Sequence, residues 1–134
     1  MCIWNVAARR ESVRLREPDG LVSSLAYSPD GQTLAAVHDG DAVTFWDVMK
    51  QRVRRTLQLS TGPVNALAYS ADGRMLAMAV QDRTVQLWNA ATGEQLAVLQ
   101  GHRAAVTTVA FAPHKHAVAS GSYDTTVRLW PVAE

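Results

Sequence analysis

The chain has 134 residues, 48% of them apolar and 19% charged, with 13 basic against 12 acidic side chains and a formal net charge of +1. That is about one domain with a real core, and the apolar share excludes a disordered chain. The charge balance argues against a protein built chiefly to hold nucleic acid or anionic lipid.

The single cysteine, Cys2, rules out an intramolecular disulfide and suits a cytosolic setting. No apolar run nears the ~20 residues that a spanning helix needs, so no membrane role is expected. The N-terminus shows no basic stretch leading into an apolar one, so no signal peptide is read there.

In chain order the elements read as strands. The opening MCIWNVAA places Ile3 and Val6 around Trp4. The more polar ESVRLRE follows. VSSLAYS is short, apolar and partly alternating, and it ends at an Asp-Gly turn. TLAAV is nearly continuously apolar, the mark of a strand covered on both faces. AVTFW alternates again, and VRRTLQL is polar. The same four-part series returns as VNALAYS, MLAMAV, TVQLW and EQLAVLQ, then a third time as VTTVAFA, AVASGS and TVRLW. About thirteen strands and no substantial helix are predicted.

The series has a fixed period. Trp4, Trp46, Trp88 and Trp130 are spaced by 42 residues each time, and a rare residue at constant spacing signals an internal repeat. Tyr27-Ser28-Pro29-Asp30-Gly31 recurs as Tyr69-Ser70-Ala71-Asp72-Gly73 and, with its turn altered, as Phe111-Ala112-Pro113-His114-Lys115. Val22, Val64 and Val106 share one register; Val43, Val85 and Val127 share another.

Four short strands per unit, with a tryptophan near the end of the third, resemble the WD-repeat (WD40) β-propeller family. The third unit matches most fully, with Gly101-His102, Val106 to Phe111, Ala119 to Asp124 and Val127 to Trp130. The Trp-Asp pair itself survives only as Trp46-Asp47. The resemblance implies an all-β fold of four-stranded antiparallel blades in an incomplete ring. Residues 1–17 would be the last two strands of a truncated blade. Repeats would follow at 18–59, 60–101 and 102–134, the last lacking its outer strand.

The resemblance also implies roles. His102, Ser120, Asp124 and Trp130 would form a hydrogen-bond network tying a blade together, since buried polar groups need partners. His, Ser and Asp can also form a hydrolase triad, but no G-x-S-x-G elbow is present, and the structural reading is preferred. Repeat 2 keeps only Asp82 and Trp88 of the set, with Ser60 and Met78 at the other places. Repeat 1 keeps only Trp46, with Pro18, Ala36 and Gly40 instead. Those two are expected to lean on apolar packing, and repeat 3 is expected to be the best ordered. Partner proteins would meet the narrow top face through Leu21, Ser23, Pro63, Asn65, Ala105 and Thr107, flanking the first-strand valines, and through Asp39, Gln81 and Tyr123 at the turns.

Other motifs read as bland. His114 and His116 lack a third ligand for a metal. Asp39, Asp41 and Asp47 resemble a calcium loop, but Phe45 holds a ligand place and Lys50 the closing one. No phosphate loop exists, and no cofactor is expected. Arg9, Arg10, Arg14 and Arg16, then Lys50, Arg52, Arg54 and Arg55, lie on outer polar strands. Charged edges guard against sheet-to-sheet aggregation, and Glu11, Glu17 and Asp19 interleave with the first set. That reading is preferred to a basic rim for nucleic acid or another acidic ligand.

The expected function is thus a non-enzymatic scaffold for protein–protein interaction. A basic-rim binder and a regulatory or sensor region of a larger multidomain signalling protein are the alternatives. Propellers close with about 4–8 blades, so the chain reads as a fragment completed by missing N-terminal blades, or as a self-assembling partial ring.

Overall fold

The computed structural model describes residues 2–5, 10–14, 21–113 and 116–132, the first two stretches as backbone alone. Every regular element among them is a strand. β1 (Cys2–Asn5) and β2 (Arg10–Arg14) form a two-stranded antiparallel sheet. β3 (Val22–Tyr27), β4 (Thr33–His38), β5 (Ala42–Asp47) and β6 (Arg52–Gln58) form a four-stranded sheet in chain order. β7 (Val64–Tyr69), β8 (Met75–Val80), β9 (Thr84–Asn89) and β10 (Gln95–Gln100) repeat it. β11 (Val106–Phe111), β12 (Ala117–Ser122) and β13 (Val127–Pro131) form a three-stranded sheet. Neighbours pair antiparallel throughout. Thirteen strands thus lie where the repeat predicts them.

Local chemistry explains the first hairpin of each four-stranded sheet. Ser28 Oγ donates to Asp30 Oδ1 at 2.6 Å and accepts from the Thr33 N–H at 3.0 Å, while Asp30 also accepts from the Gln32 N–H. Ser70, Asp72, Met75 and Arg74 repeat this at 2.6, 3.0 and 3.0 Å. Gly31 and Gly73 complete the turns at φ 72° and 74°, a left-handed conformation that glycine takes without steric cost. The serine hydroxyls first, then the backbone N–H groups, hold both aspartates below the usual carboxylate range. In the third copy, His114 and Lys115 lie outside the described residues.

The core lies between sheets. One cluster joins Ala35, Val37, Val43 and Phe45 of repeat 1 to Val64, Leu67, Leu76 and Met78 of repeat 2. A second joins Ala77, Ala79, Val85 and Leu87 of repeat 2 to Val106, Val109 and Val118 of repeat 3. Strand β8 serves both, because alternate side chains point to opposite faces. Leu76 and Met78 face one neighbour, Ala77 and Ala79 the other, and all four are 0% exposed. The reading of MLAMAV as covered on both faces therefore holds. AVASGS departs from it: Val118 and Ser120 are buried, but Ala117, Ala119 and Gly121 are only half-buried. No described residue stacks on their face as repeat 3 stacks on repeat 2.

Each first strand carries one irregularity. The register against the second strand shifts between Val22 and Ser24, between Val64 and Ala66, and between Val106 and Thr108. A β-bulge therefore falls on Ser23, Asn65 and Thr107, at one place in the repeat.

Candidate functional site

Three equivalent backbone bonds build one end of the sheets. Asp39 N–H donates to Leu21 O at 3.1 Å, Gln81 N–H to Pro63 O at 2.9 Å, and Tyr123 N–H to Ala105 O at 3.1 Å. Each turn residue is thereby held against the residue that enters its first strand. The three ends are also joined. Val64 N–H donates to Gly40 O, and Asn65 Nδ2 donates across sheets to Val106 O at 2.8 Å and to Gln81 Oε1 at 3.0 Å. Thr107 Oγ1 donates to Gly121 O at 3.2 Å.

Most of the residues predicted from sequence therefore share one continuous edge. Leu21 and Tyr123 are its large exposed apolar groups, at 84% and 74%. Ser23, Pro63 and Gln81 are exposed, Asn65 and Thr107 half-buried. Asp39 presents its carboxylate beside His38, its backbone in the left-handed region at φ 54°. Ala105 stands apart, only 8% exposed, because it is turned inward beside Val106.

The polar set of repeat 3 is assembled and enclosed. His102 Nδ1 lies 2.9 Å from Asp124 Oδ2, His102 Nε2 lies 2.7 Å from Ser120 Oγ, and Trp130 Nε1 donates to Ser120 Oγ at 2.8 Å. One assignment satisfies all of these: the imidazole donates from Nδ1 to the carboxylate and accepts the serine proton at Nε2. Asp124 also accepts from the Arg103 N–H and from the Thr126 hydroxyl and N–H. The Thr126 hydroxyl foremost, then the Arg103 N–H and the His102 ring, hold its carboxyl far below the usual range. The Trp130 ring meets the imidazole edge to face, centroids 6.1 Å apart. Gly101 permits that approach, since a Cβ there would sit 3.0 Å from Trp130 Cη2.

This geometry does not suit a nucleophile. Ser120 is 1% exposed, and its oxygen already accepts the indole N–H. A substrate carbonyl has no path to it.

Repeat 2 replaces the missing set by a residue the sequence reading passed over. Gln86, 1% exposed, accepts from Trp88 Nε1 at 3.0 Å and from Gln95 Nε2 at 3.2 Å, and donates to Thr61 Oγ1 at 2.7 Å. Its tryptophan is thus anchored through an amide, beside the apolar packing on both faces that repeat 2 was expected to rely on. The signal was present in TVQLW. Residues two apart in a strand share a face, so a glutamine two before Trp88 lies beside its indole. In repeat 1 the equivalent Thr44 meets His38 Nε2.

The outer arginines are partly engaged. Arg54 donates from Nε and Nη2 to Asp47 Oδ2 and from Nη1 to Thr33 Oγ1. Asp47 also accepts from the Lys50 N–H. Arg55 lies over Gly93, where a Cβ would come within 2.3 Å of its Nη1. Arg9 and Arg16 lie outside the described residues, and of Arg10 and Arg14 only the backbone is described.

The repeat and its geometry agree with a comparison to known families. The family model for the WD domain, G-beta repeat (WD40), matches residues 11–47, 51–89 and 93–131. The chain belongs to the WD40 family. Each matched segment runs from the outer strand of one blade to the third strand of the next, so every WD40 match straddles two sheets. Two solved WD40-like structures are similar to it at 26% identity and a TM-score of 0.83, a structure of U3-55K and a crystal structure of RRP9 WD40 repeats. Each match covers 88% of this chain but only 38% and 37% of the respective solved chain. The WD40 chain described here thus spans under two fifths of either. No curated protein sequence matches it.

Proposed function

We propose that this WD40 chain is a non-enzymatic scaffold that holds a partner protein on the edge running from Leu21 and Asp39, past Pro63, Asn65 and Gln81, to Thr107 and Tyr123. One observation carries the reading: the first-strand bulge falls on Ser23, Asn65 and Thr107 in all three repeats. A bulge re-aims a side chain and recurs beside binding sites. The exposed Tyr123 at one end of this edge supports it further, since aromatic anchors dominate interface energetics. The wider family generally serves the same purpose. A cytosolic setting belongs to this reading and rests on the lone cysteine.

The test is affinity for a partner captured by the intact chain. Tyr123→Ala is expected to weaken binding at least ~10-fold, the scale of hot-spot residues, and Leu21→Ala to weaken it less, both leaving the β-sheet circular dichroism signal intact. Unchanged affinity in both variants sinks the proposal. Asn65→Ala is the poorer probe, because Asn65 also ties two blades together.

A further inference from the structure

An edge strand presents a row of unpaired N–H and C=O groups, which proteins commonly guard with charge. The two four-stranded sheets do so unequally. Strand β6 lies at the outer edge of its sheet and carries Arg52, Arg54 and Arg55. Strand β10 holds the same place in the next sheet, and none of its six residues is charged. Leu96 and Val98 stand on it at 49% and 42% exposed. Repeats 1 and 3 cover the two faces of this sheet, whereas the outer edge of β10 pairs with no described strand.

The edge is regular where it is bare. Its one bulge falls at Leu96, between Gln95 and Ala97. From Ala97 to Gln100, each residue pairs in turn with Leu87 to Thr84. Side chains alternate along such a stretch. Ala97 and Leu99 lie toward the core shared with repeat 3, and Val98 lies on the opposite face.

We propose that β10 pairs antiparallel with β10 of a second copy of this chain, about a two-fold axis through Val98. The contact is isologous and joins two four-stranded sheets edge to edge. The strand is its own complement. The axis sets Val98 against Val98 and, twice, Ala97 against Leu99, so every residue meets one from the same face. With no charge on β10, the ladder brings no like charges together. The same pairing at β6 crowds the arginines of both copies along one edge. Beyond the ladder, the antiparallel direction carries Glu94 of one copy toward Gln100 and Gly101 of the other, which line one cleft with Arg83. Glu94 and Arg83 are exposed, and neither forms an ion pair among the described residues. Two reciprocal Glu94–Arg83 pairs at the rim set the register more than they add affinity.

Native mass spectrometry and sedimentation of the purified chain at micromolar concentration test this. The expected mass is twice 14.6 kDa. Val98→Lys brings two ammonium groups together at the axis, and it is expected to give the single-chain mass with the β-sheet circular dichroism signal retained. A second measurement does not depend on that variant folding. Opposed Cα atoms of an antiparallel pair lie about 4.5–5.5 Å apart, within disulfide reach. Val98→Cys, combined with Cys2→Ser, is therefore expected to link two copies covalently on mild oxidation. A single-chain mass for the parent overturns the proposal. So does a doubled mass that persists in Val98→Lys, which places the contact elsewhere, or a Val98→Cys chain that oxidises without linking two copies.

Discussion

At the residue scale, the enclosed set in repeat 3 makes two predictions. Ser120 joins the indole of Trp130 to the imidazole of His102. Ser120→Ala removes an acceptor from one buried group and a donor from the other, each worth about 1–3 kcal/mol when left unpaired. Chemical denaturation is expected to show a loss of that order, and a neutral result would mean that the set does not hold the blade. The second prediction concerns acid. Asp124 is held below its ordinary value, by the Thr126 hydroxyl first, so the unfolded chain takes up a proton before the folded one does. Stability from this group is complete above the ordinary aspartate pKa of about 3.9, and it drains away as pH falls further. Unfolding midpoints between about pH 5 and pH 2 should fall less steeply in Asp124→Asn than in the parent. Superimposable slopes would refute the assignment.

At the scale of the strands, much was legible in the sequence because two periodicities are superposed, one of two residues within each strand and one of 42 between them. The unbroken apolar run in MLAMAV marked a strand covered on both faces, but the alternation in AVTFW did not mark an open one, since all of β5 is buried. Three features escaped. Gln86 was passed over because the comparison sought His and Ser at family positions, whereas the physical need is only for an acceptor beside the Trp88 indole, and an amide two residues away meets it. The half-open face of β12 escaped because covering depends on what stacks from outside, which the strand's own residues do not encode. The bulge at Asn65 was likewise invisible, although the residue itself was singled out. It now carries an element-scale prediction. Asn65 Nδ2 reaches Val106 O from the neighbouring sheet, so Asn65→Ala removes a cross-blade bond. A loss of about 1 kcal/mol is expected, and it should shrink when Val106 and Val109 are already truncated to alanine, as neighbouring sites couple. Strict additivity in that cycle would count against a cross-blade role.

At the scale of the whole molecule, order should follow covering rather than hydrogen-bond motifs. Repeat 3 holds the full His102–Ser120–Asp124–Trp130 set, and the sequence alone makes it the best-ordered unit. Burial is distributed otherwise. Strand β8 packs a neighbour on each face, and Leu76 through Val80 are all 0% exposed. Strand β13 presents Val127 and Leu129 outward, and its sheet has three strands among the described residues. A polar set ties the strands of one blade to one another, but apolar area removed from water scales with the number of covered faces. In a linear array, moreover, each repeat is stabilised by its interfaces with its neighbours. Repeat 2 has two such interfaces among the described residues, while repeat 3 has one. Hydrogen exchange, read segment by segment, is therefore expected to be slowest across Leu76 to Val80. It should be faster in β12 and fastest of the three in β13, because local opening free energies track buried packing. Slower exchange at Val118 to Ser120 than at Leu76 to Val80 would show instead that the polar set outweighs a second packed face.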